Sequence, residues 1–276
     1  LIPMVTKGKK EKERMERGGW QMRRGLLLVS HNTDPWIRQL PFLRRSSSVS
    51  SRREIHSGER RSMSERRMSH PKYRLVYFDA EGRAECIRLI FHHFKIYFED
   101  TRLTAAEWEK KKPSAPFESL PILEMDNGKK VIADSVAIAR YLSKTLGEGF
   151  LGKTKLDAAR GDMFVYATTD LYGPGMGVKF AKDEGTKKDA MTKFDDAAKK
   201  YVRNVEKHLK ASKSGFVVGE YMTWADIFVM YGIHCIEQID AGLLKKHKSI
   251  LHYYEKIRSQ DGIKEYVEDK WPTELL

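Results

Sequence analysis

YRLVYFDAEGRAECIRLIF, residues 73–91, joins a strand pattern to a helix pattern through one short turn. Its first six residues mix aromatic and branched apolar side chains in the manner of a strand. DAEGR then reads as a turn, and AECIRLIFHHF, residues 84–94, places Ile87, Ile90, Phe91 and Phe94 at helical spacing, predicting a helix with one apolar face. Outward from this strand, turn and helix, IYFEDTRL (96–103) predicts a second strand and TAAEWEKKKPSA (104–115) a short polar helix or loop ending at Pro113. PFESLPILEM (116–125) predicts a third strand entered through Pro121. The Asp126-Asn127-Gly128 turn signals a hairpin into a short strand, KKVIA. DSVAIARYLSKTLG (134–147) opens on an Asp-Ser cap and stops at a glycine, as helices do.

This order of elements is the thioredoxin-like pattern, and it fills residues 71–148. From Thr154 onward strand signals vanish. Helical periodicity runs through residues 156–172, 187–211 and 224–239, predicting an all-α domain over residues 153–276. Thr223-Trp224-Ala225-Asp226 has the form of a capping box before an apolar run, and is assigned to folding.

Upstream, residues 1–70 are rich in Arg, Ser, Lys and Glu and carry +10 of the chain's net +13, leaving +3 on the remainder. Such a segment buries too little apolar surface to offset the entropy of ordering it, so a disordered basic leader is expected. Glu11, Glu13, Glu16 and Asp34 argue against a transit peptide. The leader also lacks the interleaved aromatics of a nucleic-acid module, and no nucleic-acid partner is expected. Its apolar run GLLLVS is far shorter than the ~20 residues that span a bilayer, so no membrane partner is expected either. Cys86 and Cys235 show no metal-ligand or C-x-x-C spacing. They read as free, buried, unreactive thiols in a reducing compartment, and a cytoplasmic location is expected.

The segment YRLVYFDAEGRAECIRLIF resembles the opening of sigma-class and nematode-type glutathione transferases, relatives of the prostaglandin D synthases. A small α/β domain followed by a helical one is also that family's architecture. The resemblance puts Tyr77 on the family's catalytic tyrosine, followed by Phe78, and Arg83 on its neighbouring arginine. A strand-end tyrosine alone is usually a packing residue. The chemistry nonetheless suits a phenol: a free thiol with pKa near ~8.5 is mostly protonated at neutral pH, and only the thiolate is a good nucleophile. One charge-assisted hydrogen bond contributes ~1.5 to 3 kcal/mol, about one to two pKa units.

The same resemblance implies the rest of a glutathione site. Ser119-Leu120-Pro121 matches a loop with a cis-proline, where the Leu120 backbone would pair with the cysteinyl part of the tripeptide. Asp134-Ser135, at a helix N-terminus, matches the pair receiving the γ-glutamyl group. The family usually has Gln at the first position, and Asp can contact the ammonium but cannot donate to the carboxylate. Ser119 is likewise shorter than the usual Gln or Lys. Trp108 and Lys112 match residues at the glycine end, and Asp170 matches an acid reaching over from a partner subunit, which implies a homodimer. The electrophile pocket is expected at Ala80, Gly82, Tyr172 and Met176, in and around GPGMGVKF (173–180). Prostaglandin D isomerases carry a tryptophan in that stretch where this chain has Gly and Met, which speaks against that isomerisation.

Three classes of function follow: an enzyme joining glutathione to electrophiles, a carrier of apolar ligands, and a structural relative like the lens crystallins. Tyr77, Arg83, Trp108 and Ser135 favour the enzyme, with glutathione as co-substrate and no cofactor or metal expected.

Overall fold

A computed structural model describes residues 72–272, and the expectations for residues 1–70 lie outside the described residues. The first domain is built on four strands: β1 (Tyr73–Phe78), β2 (Glu99–Leu103), β3 (Ile122–Met125) and β4 (Lys130–Ala133). They form one sheet in the order β2-β1-β3-β4; β2 is parallel to β1, and the other pairs are antiparallel. Helix α1 (Glu85–His93) connects the parallel pair, as such a crossover requires. Asp126, Asn127 and Gly128 all take positive φ in the hairpin turn between β3 and β4. The third strand is shorter than the sequence suggests: residues 116–118 form a 3₁₀ turn in which Phe117 and Glu118 adopt positive φ.

Strand β1 is central, and its alternating side chains serve two cores. Tyr73, Leu75 and Tyr77 pack with α1 and with α3 (Ser135–Leu146), while Val76 meets Ile122 and Trp108 of α2 (Ala105–Lys111) on the other face. Helix α1 differs from its expected single apolar face. Every residue from Glu85 to Phe91 is buried, because the helical domain covers the side that the sheet leaves free.

That second domain comprises α4 (Lys155–Thr169), α5 (Tyr172–Lys179), α6 (Glu184–Ala211), α7 (Trp224–Leu244), α8 (Lys248–Arg258) and α9 (Ile263–Lys270). Among the described residues α7 alone is long and apolar enough to cross a membrane, yet most of it is buried as the core helix that contacts α4, α8 and α1. Asp226 ties its start in place: Oδ2 accepts from the Thr223 N–H and hydroxyl, and Oδ1 from the Val217 N–H and the Tyr253 hydroxyl, at 2.8–3.1 Å. GPGMGVKF, despite three glycines and a proline, is largely the helix α5. Pro174 falls in its first turn, where the missing N–H has no intrahelical partner to lose.

Candidate functional site

Between the two domains lies a cavity of about 940 Å³. Tyr77, at the end of β1, forms part of its wall and is 4% exposed. After β1 the chain reverses over residues 79–84, and Gly82 takes φ +46°, a left-handed conformation that suits glycine. The reversal brings the Arg83 backbone N–H to the Tyr77 hydroxyl, donating at 3.1 Å. A phenol has one hydrogen to give, and with an acceptor site of its oxygen filled by Arg83 that hydrogen remains for another partner. Burial pushes the Tyr77 phenol above its ordinary value, against the Arg83 N–H and the charges of Arg83 and Arg88. It therefore stays protonated, as a donor, at neutral pH.

The Arg83 guanidinium is exposed, lies over the Tyr172 ring at 5.2 Å and forms no ion pair among the described residues. Arg88, which sequence reasoning passed over, is fully buried under this turn. It donates to the Ala80 and Glu81 carbonyls at 2.8 and 3.2 Å and pairs with Glu85 and Asp100. Its signal was present: an arginine in the middle of an apolar helix must be either solvated or paired.

The cavity wall brings together Tyr77, Phe78, Gly82, Arg83, Trp108, Lys112, Ser119, Leu120, Tyr172 and Met176. Trp108 packs edge-on to Phe78, and Lys112 has no ion-pair partner among the described residues, whereas the neighbouring Lys111 is held by Glu124 at 2.8 Å. The Leu120–Pro121 bond is cis. Ala80, Pro121, Asp134, Ser135 and Asp170 stand off the wall. Ala80 is buried in the turn, its carbonyl engaged by Arg88. Asp134 caps α3, its Oδ1 accepting from the Val136 and Ala137 N–H groups at 3.0 and 2.9 Å. Ser135 is 2% exposed, and its hydroxyl has no hydrogen-bond partner within the protein. Asp170 is exposed just past the end of α4.

Glu118 adds an acid to the wall from the first domain, and most of the rest comes from Leu171, Val178, Met191, Phe194, Tyr231, Cys235 and Ile239, with Lys179, Lys187 and Gln238 as polar members. The residues on and around α5, α6 and α7 are far from β1 in sequence, and the apolar ones, taken singly, read only as core. Cys86 is buried as expected, whereas Cys235 is only partly buried and borders the cavity. Desolvation raises Cys86 well above its ordinary value and pushes Cys235 to about 12, which favours the thiol form of both.

The family model described as Glutathione S-transferase, N-terminal domain, matches residues 74–144, and that of the Glutathione S-transferase C-terminal domain matches residues 169–270. The chain belongs to the glutathione S-transferase family. Among relatives of this transferase, Glutathione S-transferase 1 of Ascaris suum is 34% identical over 207 residues, covering 74% of this chain and 98% of the relative. Mouse hematopoietic prostaglandin D synthase is 31% identical, covering 74% and 100%, and S-crystallin SL11 of Nototodarus sloanii is 29% identical, covering 72% and 97%. The chain is also similar to solved structures, among them two with a TM-score of 0.66 each. The glutathione S-transferase of Ascaris lumbricoides is 34% identical, covering 74% of this chain and 99% of its own. The monomeric glutathione S-transferase Na-GST-3 of Necator americanus is 33% identical, covering 73% and 98%.

Proposed function

We propose that this transferase joins the sulfur of glutathione to apolar electrophiles as a detoxifying enzyme of the cytoplasm, with residues 71–148 holding glutathione and residues 153–276 supplying most of the electrophile pocket. The observation that carries the reading is the Arg83 N–H donated to the Tyr77 oxygen at the cavity wall. The Tyr77 hydroxyl donates to the glutathione sulfur, favouring thiolate over thiol, and the displaced proton passes to solvent. The thiolate then attacks the electrophilic carbon, and the leaving group departs with its electron pair.

Lys112 and Trp108 take the glycine end of the tripeptide, with Lys112 pairing its carboxylate. The Phe78, Ser119, Leu120 and Pro121 segment meets the middle. Ser135 and the N-terminus of α3 receive the γ-glutamyl carboxylate, for which the unpartnered, buried Ser135 hydroxyl is suited. Asp134 has committed Oδ1 to its helix, which leaves Oδ2 for the ammonium. Gly82, Tyr172 and Met176, with Ala80 supporting the turn, border the electrophile.

Asp170 acts across a homodimer. Support for a dimer comes from large exposed apolar side chains on adjoining elements: Phe117 is 91% exposed, and Val131, Tyr141, Met163 and Tyr166 follow on β4, α3 and α4. The deciding experiment is steady-state conjugation of a chloronitroaromatic by the full chain. Glutathione-dependent release of chloride supports the reading. Tight binding of the aromatic compound with negligible turnover would make the protein a carrier.

A further inference from the structure

We propose that Glu81 and His234 are positioning residues for the thiolate-stabilising tyrosine, acting through the turn at residues 79–84. The proposal rests on the role given above to Tyr77. Glu81 lies two residues before the Arg83 N–H and is 1% exposed; His234, on α7 in the other domain, is 2% exposed. Glu81 Oε2 and His234 Nε2 are 3.2 Å apart. The other ring nitrogen, Nδ1, is 3.2 Å from the Tyr254 hydroxyl of α8. The imidazole is stacked on Trp271 at 3.8 Å, and Trp271 Nε1 donates to Glu85 Oε1 at 2.7 Å. Glu85 is paired with Arg88, which returns to the turn by donating to the Glu81 carbonyl.

These contacts close a ring through both domains. Arg88 holds the backbone of the turn from the first domain by hydrogen bonds, and His234 of the second sets its ring beside the Glu81 carboxylate, within ion-pair distance but not aligned for a hydrogen bond to it. A buried carboxylate is costly, so an acid at position 81 is a poor choice for packing alone. What it gains is a fixed anchor on α7 for the residues that aim the Arg83 N–H. Among the described residues, the charged and titratable groups around the pair include Glu85 and Arg88 of α1, Tyr231, Cys235 and Glu237 of α7, and Tyr254 of α8.

The sign of the effect separates positioning from simple electrostatics. Removing the Glu81 charge acts through space to favour the thiolate and lower the pKa of bound glutathione. Loss of positioning weakens the Tyr77 donor and raises it. The test is ultraviolet titration of the thiol of bound glutathione in the full chain, for wild type, Tyr77→Phe, Glu81→Gln, His234→Leu and the Glu81→Gln/His234→Leu double variant, with KM for glutathione and thermal unfolding alongside. Each single clasp variant is expected to raise the thiol pKa by at least about half a unit, a threefold loss of thiolate below the pKa, with KM changed less than about twofold. The double variant is expected to be no worse than the more affected single one, since both break one contact. If His234→Leu does not fold, the near-isosteric Glu81→Gln carries the test. A wild-type pKa that is depressed, lost in Tyr77→Phe, and unchanged or lower in Glu81→Gln overturns this proposal alone, even if the variant melts earlier. A wild-type pKa equal to that of free glutathione overturns the Tyr77 role and this proposal with it.

Discussion

Replacing Tyr77 by Phe removes one oxygen from the cavity wall and leaves the ring that packs beneath it. The oxygen accepts from Arg83 at 3.1 Å, and its hydrogen is free for the sulfur. Losing one hydrogen bond to a charged group costs about 1.5 to 3 kcal/mol of thiolate stabilisation, or about one to two pKa units. At pH 7 a thiol of pKa about 8.5 is only about 3% ionised, whereas one lowered to between about 7.5 and 6.5 is about 24 to 76% ionised. Tyr77→Phe should therefore reduce kcat/KM at pH 7 by about 8- to 25-fold. The acid limb of the rate profile should move up in pH by the same one to two units, while glutathione affinity changes little. Because the Tyr77 phenol is raised by burial, it remains a donor throughout this range and is not itself the titrating group. The assay is the conjugation rate against pH, paired with thiolate absorbance of the binary complex. A variant with an unmoved pH profile would show that the Tyr77 hydroxyl does not stabilise the thiolate.

Lys112→Met should raise KM for glutathione about tenfold, by loss of a roughly 1.4 kcal/mol charge-assisted contact, with kcat nearly unchanged in steady-state kinetics. Asp226→Asn should destabilise the fold by about 2 to 3 kcal/mol, because an amide cannot accept the four hydrogen bonds that converge on the carboxylate. Differential scanning calorimetry would register that as a fall of about 4 to 12 °C in Tm. Phe117→Asp should shift the protein from dimer to monomer in sedimentation, and lower activity where Asp170 acts from the partner; an unchanged sedimentation coefficient would count against the dimer.

The parts of the fold that were legible in the sequence rest on local rules. The strand at Tyr73, the hairpin at Asn127-Gly128, the Asp134 cap and the Asp226 capping box each depend on neighbours within a few residues. What escaped depends on contacts between distant segments. The all-round burial of α1 follows from a helical domain whose α7 begins well over a hundred residues later. The pairing of Glu81 with His234 is likewise invisible to any local pattern. GPGMGVKF was legible as small residues at a pocket but not as a helix, since its intrinsic preference is against one and packing of α5 on α6 overrides it. In the site, the motif-bearing residues of β1 and the Pro121 loop could be named in advance. The α6 and α7 wall, with Met191, Phe194 and Ile239, carries no motif and could only be assembled in three dimensions.

If the Tyr77 hydroxyl holds the sulfur of glutathione, the contact is directly visible in the complex. A crystal structure of the full chain with glutathione bound tests it most directly. The sulfur is expected within hydrogen-bond reach of Tyr77 Oη, with the Arg83 N–H still donated to that oxygen. A sulfur placed against another side chain, or a tripeptide bound outside the interdomain cavity, would contradict it.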